Sequence, residues 1–174
     1  EIWFEPPPRL DELLVKYIFT SERLSVQVHP SDAQTMADGL GRQGKEECWL
    51  IVDAEPGAEL GVVLTAETTR EALHDAALDG SIVDMIDWRP SKPDDFVYNR
   101  AGTIHAIGGG LTVVEVQQNV ECTYRLYDYG RPRELHLAEG LKVSHPGPVH
   151  DPRDTIVDPN ANRMLVSGPY FHLA

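Results

Sequence analysis

The sequence predicts a mainly β protein, an antiparallel β-barrel or jelly roll with short inserted helices. Three observations lead there. Apolar and polar residues alternate over short runs, roughly eight to ten of them, at the period of a half-buried strand. The 174 residues include 14 glycines and 13 prolines, which suits a fold of many turns better than a helix bundle. The helical stretches cluster between particular strands and do not alternate with them regularly, which opposes a βαβ architecture.

From the N-terminus, Glu1–Leu10 is proline-rich and aperiodic and reads as an extended arm. Asp11–Thr20 (DELLVKYIFT) turns apolar and reads as a short helix followed by strand. Leu24–His29 (LSVQVH) alternates, with Val26 and Val28 on one face and Gln27 and His29 on the other, and Pro30 stops it. Ser31–Gly39 reads as a short helix, capped by Ser31 or Asp32 and ended by Gly39. Glu46–Asp53 (EECWLIVD) and Leu60–Leu64 are strands flanking a Pro56-Gly57 turn. Thr65–Leu78 reads as a helix with Thr68 as its cap and Leu73, Ala76 and Ala77 on its apolar face; Ile82–Trp88 continues as a second short helix. Phe96–Tyr98, Leu111–Gln117 (LTVVEVQ) and Glu121–Tyr129 (ECTYRLYDY) are strands, and tight glycine turns flank His105. Leu141–Val143, Arg163–Ser167 and Tyr170–Leu173 complete the strands. The expected organisation is an arm and lead-in over residues 1–23 and a core over 24–131 with a helical insertion around 65–88. A tail over 132–174 completes the barrel or is the remnant of a second domain.

Fifteen Lys and Arg stand against 28 Asp and Glu, a formal net charge of -13. That balance opposes a general nucleic-acid binder, while leaving room for a few cations to set the field in a cleft. No apolar run approaches the length of a transmembrane helix, and no signal-peptide pattern opens the chain. Two cysteines, Cys48 and Cys122, do not make a disulfide scaffold. The simpler reading is a reducing, cytoplasmic setting without membrane or nucleic-acid partners.

The residues that carry chemistry point to a buried divalent-metal site. Gln27 and His29 share one strand face, and an inward pair of this kind is either hydrogen-bonded to backbone or metal-bound. Glu46 and Glu47 precede an apolar run and point to opposite faces; pattern alone does not choose which is inside. His105 sits between tight turns that would hold it rigidly. Lys45 shares the parity of Glu47. Arg125, mid-strand in TYRLYDY, faces either an internal anion or solvent. Glu115 interrupts LTVVEVQ and is a general acid or base if burial raises its pKa, or a structural carboxylate paired with a cation. Asp128 and Arg131 are placed to pair near the rim. His74, His136, His145, His150 and His172 show no convincing spacing and read as structural or solvent-facing.

Four blocks in order, SVQVHPSD from Ser25, KEECW from Lys45, GTIHAIGGGL from Gly102 and EVQQNVECTYRLYDYGR from Glu115, resemble the type I mannose-6-phosphate isomerase family. The resemblance spans most of Leu24–Arg131. It implies a cupin barrel that holds one zinc ion per chain and interconverts mannose 6-phosphate and fructose 6-phosphate. On this basis Gln27, His29, Glu47 and His105 are the metal ligands, which selects Glu47 over Glu46. Lys45, Arg125 and Glu115 match the family's catalytic positions. Members usually begin with a Trp-Gly segment and continue into a second barrel; neither is matched here, and the tail after Arg131 is too short for a full barrel.

The expected chemistry is an isomerisation through a cis-enediol on a small hexose phosphate, with Arg131 and Arg133 available to the phosphate. The rival readings are a catalytically silent sugar-binding cupin, another cupin enzyme such as an oxygenase or epimerase, and a purely structural barrel. Gln27 in place of a histidine weakens the second. Convergence of four ligands would be needless in the third.

Overall fold

The computed structural model describes residues 1–174. Its strands are β1 (Ile2–Phe4), β2 (Leu13–Phe19), β3 (Val26–Val28), β4 (Glu47–Ala54), β5 (Glu59–Leu64), β6 (Ile86–Pro90), β7 (Asp95–Asn99), β8 (His105–Ile107), β9 (Leu111–Gln118), β10 (Tyr124–Tyr127), β11 (Thr155–Ile156), β12 (Val166–Ser167) and β13 (His172–Leu173). The helices are α1 (Asp32–Ala37), α2 (Arg70–Asp79) and α3 (Leu137–Val143). A six-stranded sheet runs β1-β2-β9-β4-β7-β11, a five-stranded sheet runs β10-β3-β8-β5-β6, and β12 pairs with β13. All pairings are antiparallel. The two large sheets share no ladder, so the architecture is a pair of facing antiparallel sheets with helices, and the expected barrel is not closed by hydrogen bonds.

Strand alternation sorts the side chains into layers. Between the sheets, Ile18, Trp49, Ile51 and Val113 from the large sheet meet Leu60, Val62 and Ile107 from the small one. On the outer face of the small sheet, Val26, Val28, Ile104 and Leu126 pack against Leu73, Ala76 and Ala77 of α2 and Leu141 and Val143 of α3. On the outer face of the large sheet, Cys48, Phe96 and Tyr98 are covered by Val166 and Phe171 of the tail. The central strands β3, β4 and β7 are therefore covered over most of both faces, whereas β1 stays exposed, and the inter-sheet layer divides into an apolar end and a polar end.

Three expectations change. Asp11–Thr20 is strand throughout its apolar part, because Leu13–Phe19 pairs residue for residue with β9 over seven positions. Ile82–Trp88 is a 3₁₀ turn (Ser81–Met85) followed by β6, whose Trp88 and Ile86 pair opposite Gly61 and Leu64; Ile86 and Trp88 favour the extended state once a partner strand exists. Leu141–Val143 ends α3 instead of forming a strand, since Gly140 lets the helix backbone approach Leu126, Tyr124 and Val28. The insertion helix starts later than expected, at Arg70, with Thr69 as its cap. Ser31 caps α1 in a capping box with Gln34.

Besides its apolar packing and the β11–β7 pairing, the tail is fastened to the core through Asp151 and Asp154, the latter accepting from the Tyr98 N–H at 3.0 Å. Asp151, with its side chain only 3% exposed, pairs with Arg153 at 2.7 Å and with Arg100, and Arg153 lies over the Tyr98 ring. Burial alone would raise the Asp151 carboxyl; hydrogen bonds from Arg153 and Arg100 outweigh it and hold its pKa down to about 2. A carboxyl depressed in the folded state contributes stability that is present above its unfolded value and is lost as pH falls toward about 2. Asp151→Asn should cost about 1–3 kcal/mol in urea unfolding at pH 7, and the gap to wild type should narrow as pH drops below about 4.

Candidate metal centre

The polar end of the inter-sheet layer is built from rows of inward side chains. In the large sheet, Glu47 on β4 stands between Asn99 on β7 and Gln117 on β9. One row along, Trp49 stands between Val97 and Glu115, and Glu115 is in turn opposite Lys16 on β2. In the facing sheet, Gln27 on β3 lies between Arg125 on β10 and His105 on β8. His29 follows two residues after Gln27 and is pinned where its carbonyl accepts from the Gly102 N–H at 2.8 Å.

His29, Glu47 and His105 converge, with one ligand atom of each lying within 4.8 Å of the others. Glu47 Oε2 is 3.4 Å from His29 Nε2, and Oε1 is 3.4 Å from His105 Nε2. All three side chains are 0–1% exposed. A backbone carbonyl stands behind each far ring nitrogen, Cys122 at 3.3 Å from His29 Nδ1 and Thr103 at 2.9 Å from His105 Nδ1, the latter nitrogen lying also 2.8 Å from Asn99 Nδ2. With the ring proton on Nδ1 toward these carbonyls, both Nε2 lone pairs face Glu47, the arrangement found behind metal-ligating histidines. Ligands about 2 Å from a tetrahedral ion lie roughly 3.3 Å apart, so the donor set and its spacing fit a divalent cation.

Lys45 supplies a fixed positive charge beside the cluster. Its Nζ lies 2.5 Å from Glu47 Oε2 and 3.2 Å from His29 Nε2. Burial would raise the Glu47 carboxyl, but Lys45 and the two histidines hold it well below the usual carboxylate range. Burial likewise works against the Lys45 ammonium, yet Glu47 and Glu115 keep its pKa above the usual lysine value. Burial keeps His105 neutral, its pKa pushed down to about 3, and burial and Lys45 lower His29. Neutral imidazoles and an ionised carboxylate are the protonation states that metal binding requires.

The other sequence candidates surround this cluster. Gln27 Nε2 lies 3.2 Å from His105 Nε2, while its Oε1 accepts from Ser25 Oγ at 3.2 Å. Glu115 does not touch the three ligands; it accepts from Trp49 Nε1 at 3.0 Å and pairs with Lys16 at 2.8 Å. Burial and the Glu47 charge raise the Glu115 carboxyl, with Lys45 and Lys16 pulling the other way. Arg125 Nη1 donates to the Glu134 carbonyl at 2.7 Å, and its Nε is buried without a partner. Gln27, Lys45, Glu115 and Arg125 line one cleft of about 220 Å³ together with Lys16 and Arg133. Arg131 lies elsewhere, bound to Asp128 and Glu22. Glu46 turns the opposite way and accepts from the Tyr98 hydroxyl.

Sequence reasoning missed Lys16 and Asn99. Lys16 had no decisive signal, since both faces of LLVKYIF are otherwise apolar, and the structure turns its face inward with Leu14 and Ile18. Asn99, whose Nδ2 donates to Glu47 Oε1 at 3.1 Å, had none, since it closes a short strand before a loop. Glu47→Gln should strip the metal and leave the Lys45 ammonium buried without its anion. A loss of about 3–5 kcal/mol in unfolding free energy, together with metal content near zero by atomic absorption, is expected. His105→Ala should lose the metal and leave the Lys45–Glu47 pair in place.

No family model matches the chain. Among curated proteins, the mannose-6-phosphate isomerase ManA of Bacillus subtilis is 42% identical over 137 residues, covering 75% of this chain and 43% of that protein. The mannose-6-phosphate isomerase of Streptococcus mutans is 35% identical over 167 residues, covering 91% of this chain and 52% of its own length. Among solved structures, a crystal structure of the mannose 6-phosphate isomerase from Bacillus subtilis superposes with a TM-score of 0.79 at 34% identity, over 92% of this chain and 54% of that one. The chain spans about half the length of the curated relatives it matches. In sequence and in fold it is related to the bacterial type I mannose-6-phosphate isomerase family.

Proposed function

We propose that the chain is a zinc-dependent aldose–ketose isomerase that interconverts mannose 6-phosphate and fructose 6-phosphate through a cis-enediol, with one zinc ion held by Gln27, His29, Glu47 and His105. The observation that carries this reading is the His29–Glu47–His105 cluster beside a cleft lined by Lys16, Lys45, Arg125 and Arg133. The facing antiparallel sheets, with the site between them, suit a cupin-type frame. No helix is long and apolar enough to cross a membrane, and the setting proposed is the cytoplasm.

When bound, the zinc ion supplies Lewis-acid polarisation of the C1 and C2 oxygens. The chain's own groups do the rest. Glu115 is the proton carrier: its raised pKa makes it a better base than an ordinary surface carboxylate, and Trp49 and Lys16 fix its orientation. In the forward direction Glu115 takes the C2 proton as the C1=C2 bond forms, which leaves the C1 oxygen negative. The C2 hydroxyl proton then passes to the C1 oxygen, the C2=O bond forms, and Glu115 returns its carried proton to C1, leaving the 2-ketose. Arg125 faces the negative oxygen of the enediolate with its unpartnered Nε, and Lys45 donates to a substrate oxygen. Arg133, held by Asp128 at 2.6 Å, sits at the cleft lining and receives the phosphate. A fixed guanidinium presents paired donors to such an anion.

A coupled assay of mannose 6-phosphate turnover tests the reading before chelation, after it, and after zinc add-back. Activity should vanish with chelation and return with zinc. Turnover that survives complete metal removal would contradict it, and metal binding without turnover would favour a silent sugar-binding protein. Glu115→Gln should keep its zinc and lose roughly 10²–10⁴-fold in kcat.

A further inference from the structure

We propose that Gln117 reads a hydroxyl group of the sugar substrate through its side-chain carbonyl. The inference rests on the isomerase reading and adds to it a specificity residue. Gln117 lies on β9 between Glu47 on β4 and Leu14 on β2, inward with Glu115, and is 3% exposed. Its Nε2 donates to the Gln118 carbonyl at 2.9 Å. A carbonyl only accepts, so that bond fixes which end of the amide is nitrogen. The oxygen is left on the other side, buried and without a partner.

The surroundings say what kind of group belongs there. Gln117 lines a cleft of about 450 Å³ that also contains Lys16, Lys45 and Thr123. The same three residues line the smaller cleft that reaches Gln27, Glu115 and Arg125, so the two spaces adjoin. The ammonium groups nearby are already engaged, Lys16 with Glu115 and Lys45 with Glu47 and His29. Leu14 offers no donor. A buried acceptor with no donor destabilises a fold, and a methionine would fill the same volume without that cost. The donor that fits is an O–H brought in by a ligand, and a wall of mixed charge that also carries Glu1, Asn119, Glu121 and Thr123 suits a polyhydroxylated one. Satisfying the acceptor only when sugar is bound turns a folding penalty into discrimination between hydroxylated and deoxygenated ligands.

The test compares Gln117→Met with wild type, both as the full chain loaded with zinc. Three readouts are expected: zinc content unchanged, a ligand-free melting temperature higher by about 2 °C or more because the orphaned acceptor is gone, and a KM for mannose 6-phosphate raised roughly three- to tenfold at similar kcat. A residue with only a structural role would lower the melting temperature and leave KM alone. An unchanged KM, or a lower melting temperature, overturns the assignment. Wild-type turnover is read in the same plate: an inactive wild type removes the isomerase reading itself, whereas an active wild type with an indifferent variant removes only Gln117.

Discussion

The structure turns on one buried carboxylate. Glu47 is fully enclosed, and an ionised carboxylate there is tolerable only with cations and donors on every side. Lys45 and Asn99 come from its own sheet and its strand approach, and His29 and His105 come from the facing sheet and its ends. Lys45 and Asn99 donate to the carboxylate and stabilise its charge, while the two neutral imidazoles turn lone pairs toward it and thereby make a cation site. Folding and ligand assembly are in this sense one problem: the sheets cannot close over Glu47 without presenting the cluster.

The layering supports that closure. Apolar packing on both outer faces, by α2 and α3 on one side and the tail on the other, leaves the inter-sheet layer free to be polar at one end. Trp49 joins the two ends, since its ring lies edge-on to His105 while its Nε1 holds Glu115. The net charge of -13 would repel an anionic sugar at long range, but the cleft itself is lined by lysines and arginines, so the local field there opposes the global one.

Much of this was legible in the sequence because strand alternation is a strict code. The spacing of Gln27 from His29, with Val26 and Val28 between and beside them, put the polar pair inward, and that is where they lie. EECWLIVD read as a strand with one glutamate enclosed; only the family resemblance chose Glu47, and the structure places Glu46 against Tyr98 on the other face. The short helix opening Asp11–Thr20, ahead of the strand expected there, and the strand at Leu141–Val143 were misread because short apolar runs carry little periodicity, and their state was decided by distant partners, β9 in one case and β10 and β3 in the other. The inward turn of Lys16, the place of Asn99 and the unpaired oxygen of Gln117 all depend on the register between strands, which no local pattern encodes.

The central claim is that imidazole nitrogen and carboxylate oxygen, and no thiolate, hold the ion, even though Cys48 adjoins Glu47 and the Cys122 carbonyl contacts His29. Cys48 packs with Phe96 and Tyr98 on the outer face of the sheet, and the cluster of converging ligand atoms is His29, Glu47 and His105 without a thiol. X-ray absorption at the zinc edge of the zinc-loaded chain reads the donor atoms directly. Nitrogen and oxygen scatterers at about 2.0–2.2 Å, with the multiple-scattering signature of two imidazoles, are expected. A sulfur shell at about 2.3 Å, or a single imidazole, would contradict the account.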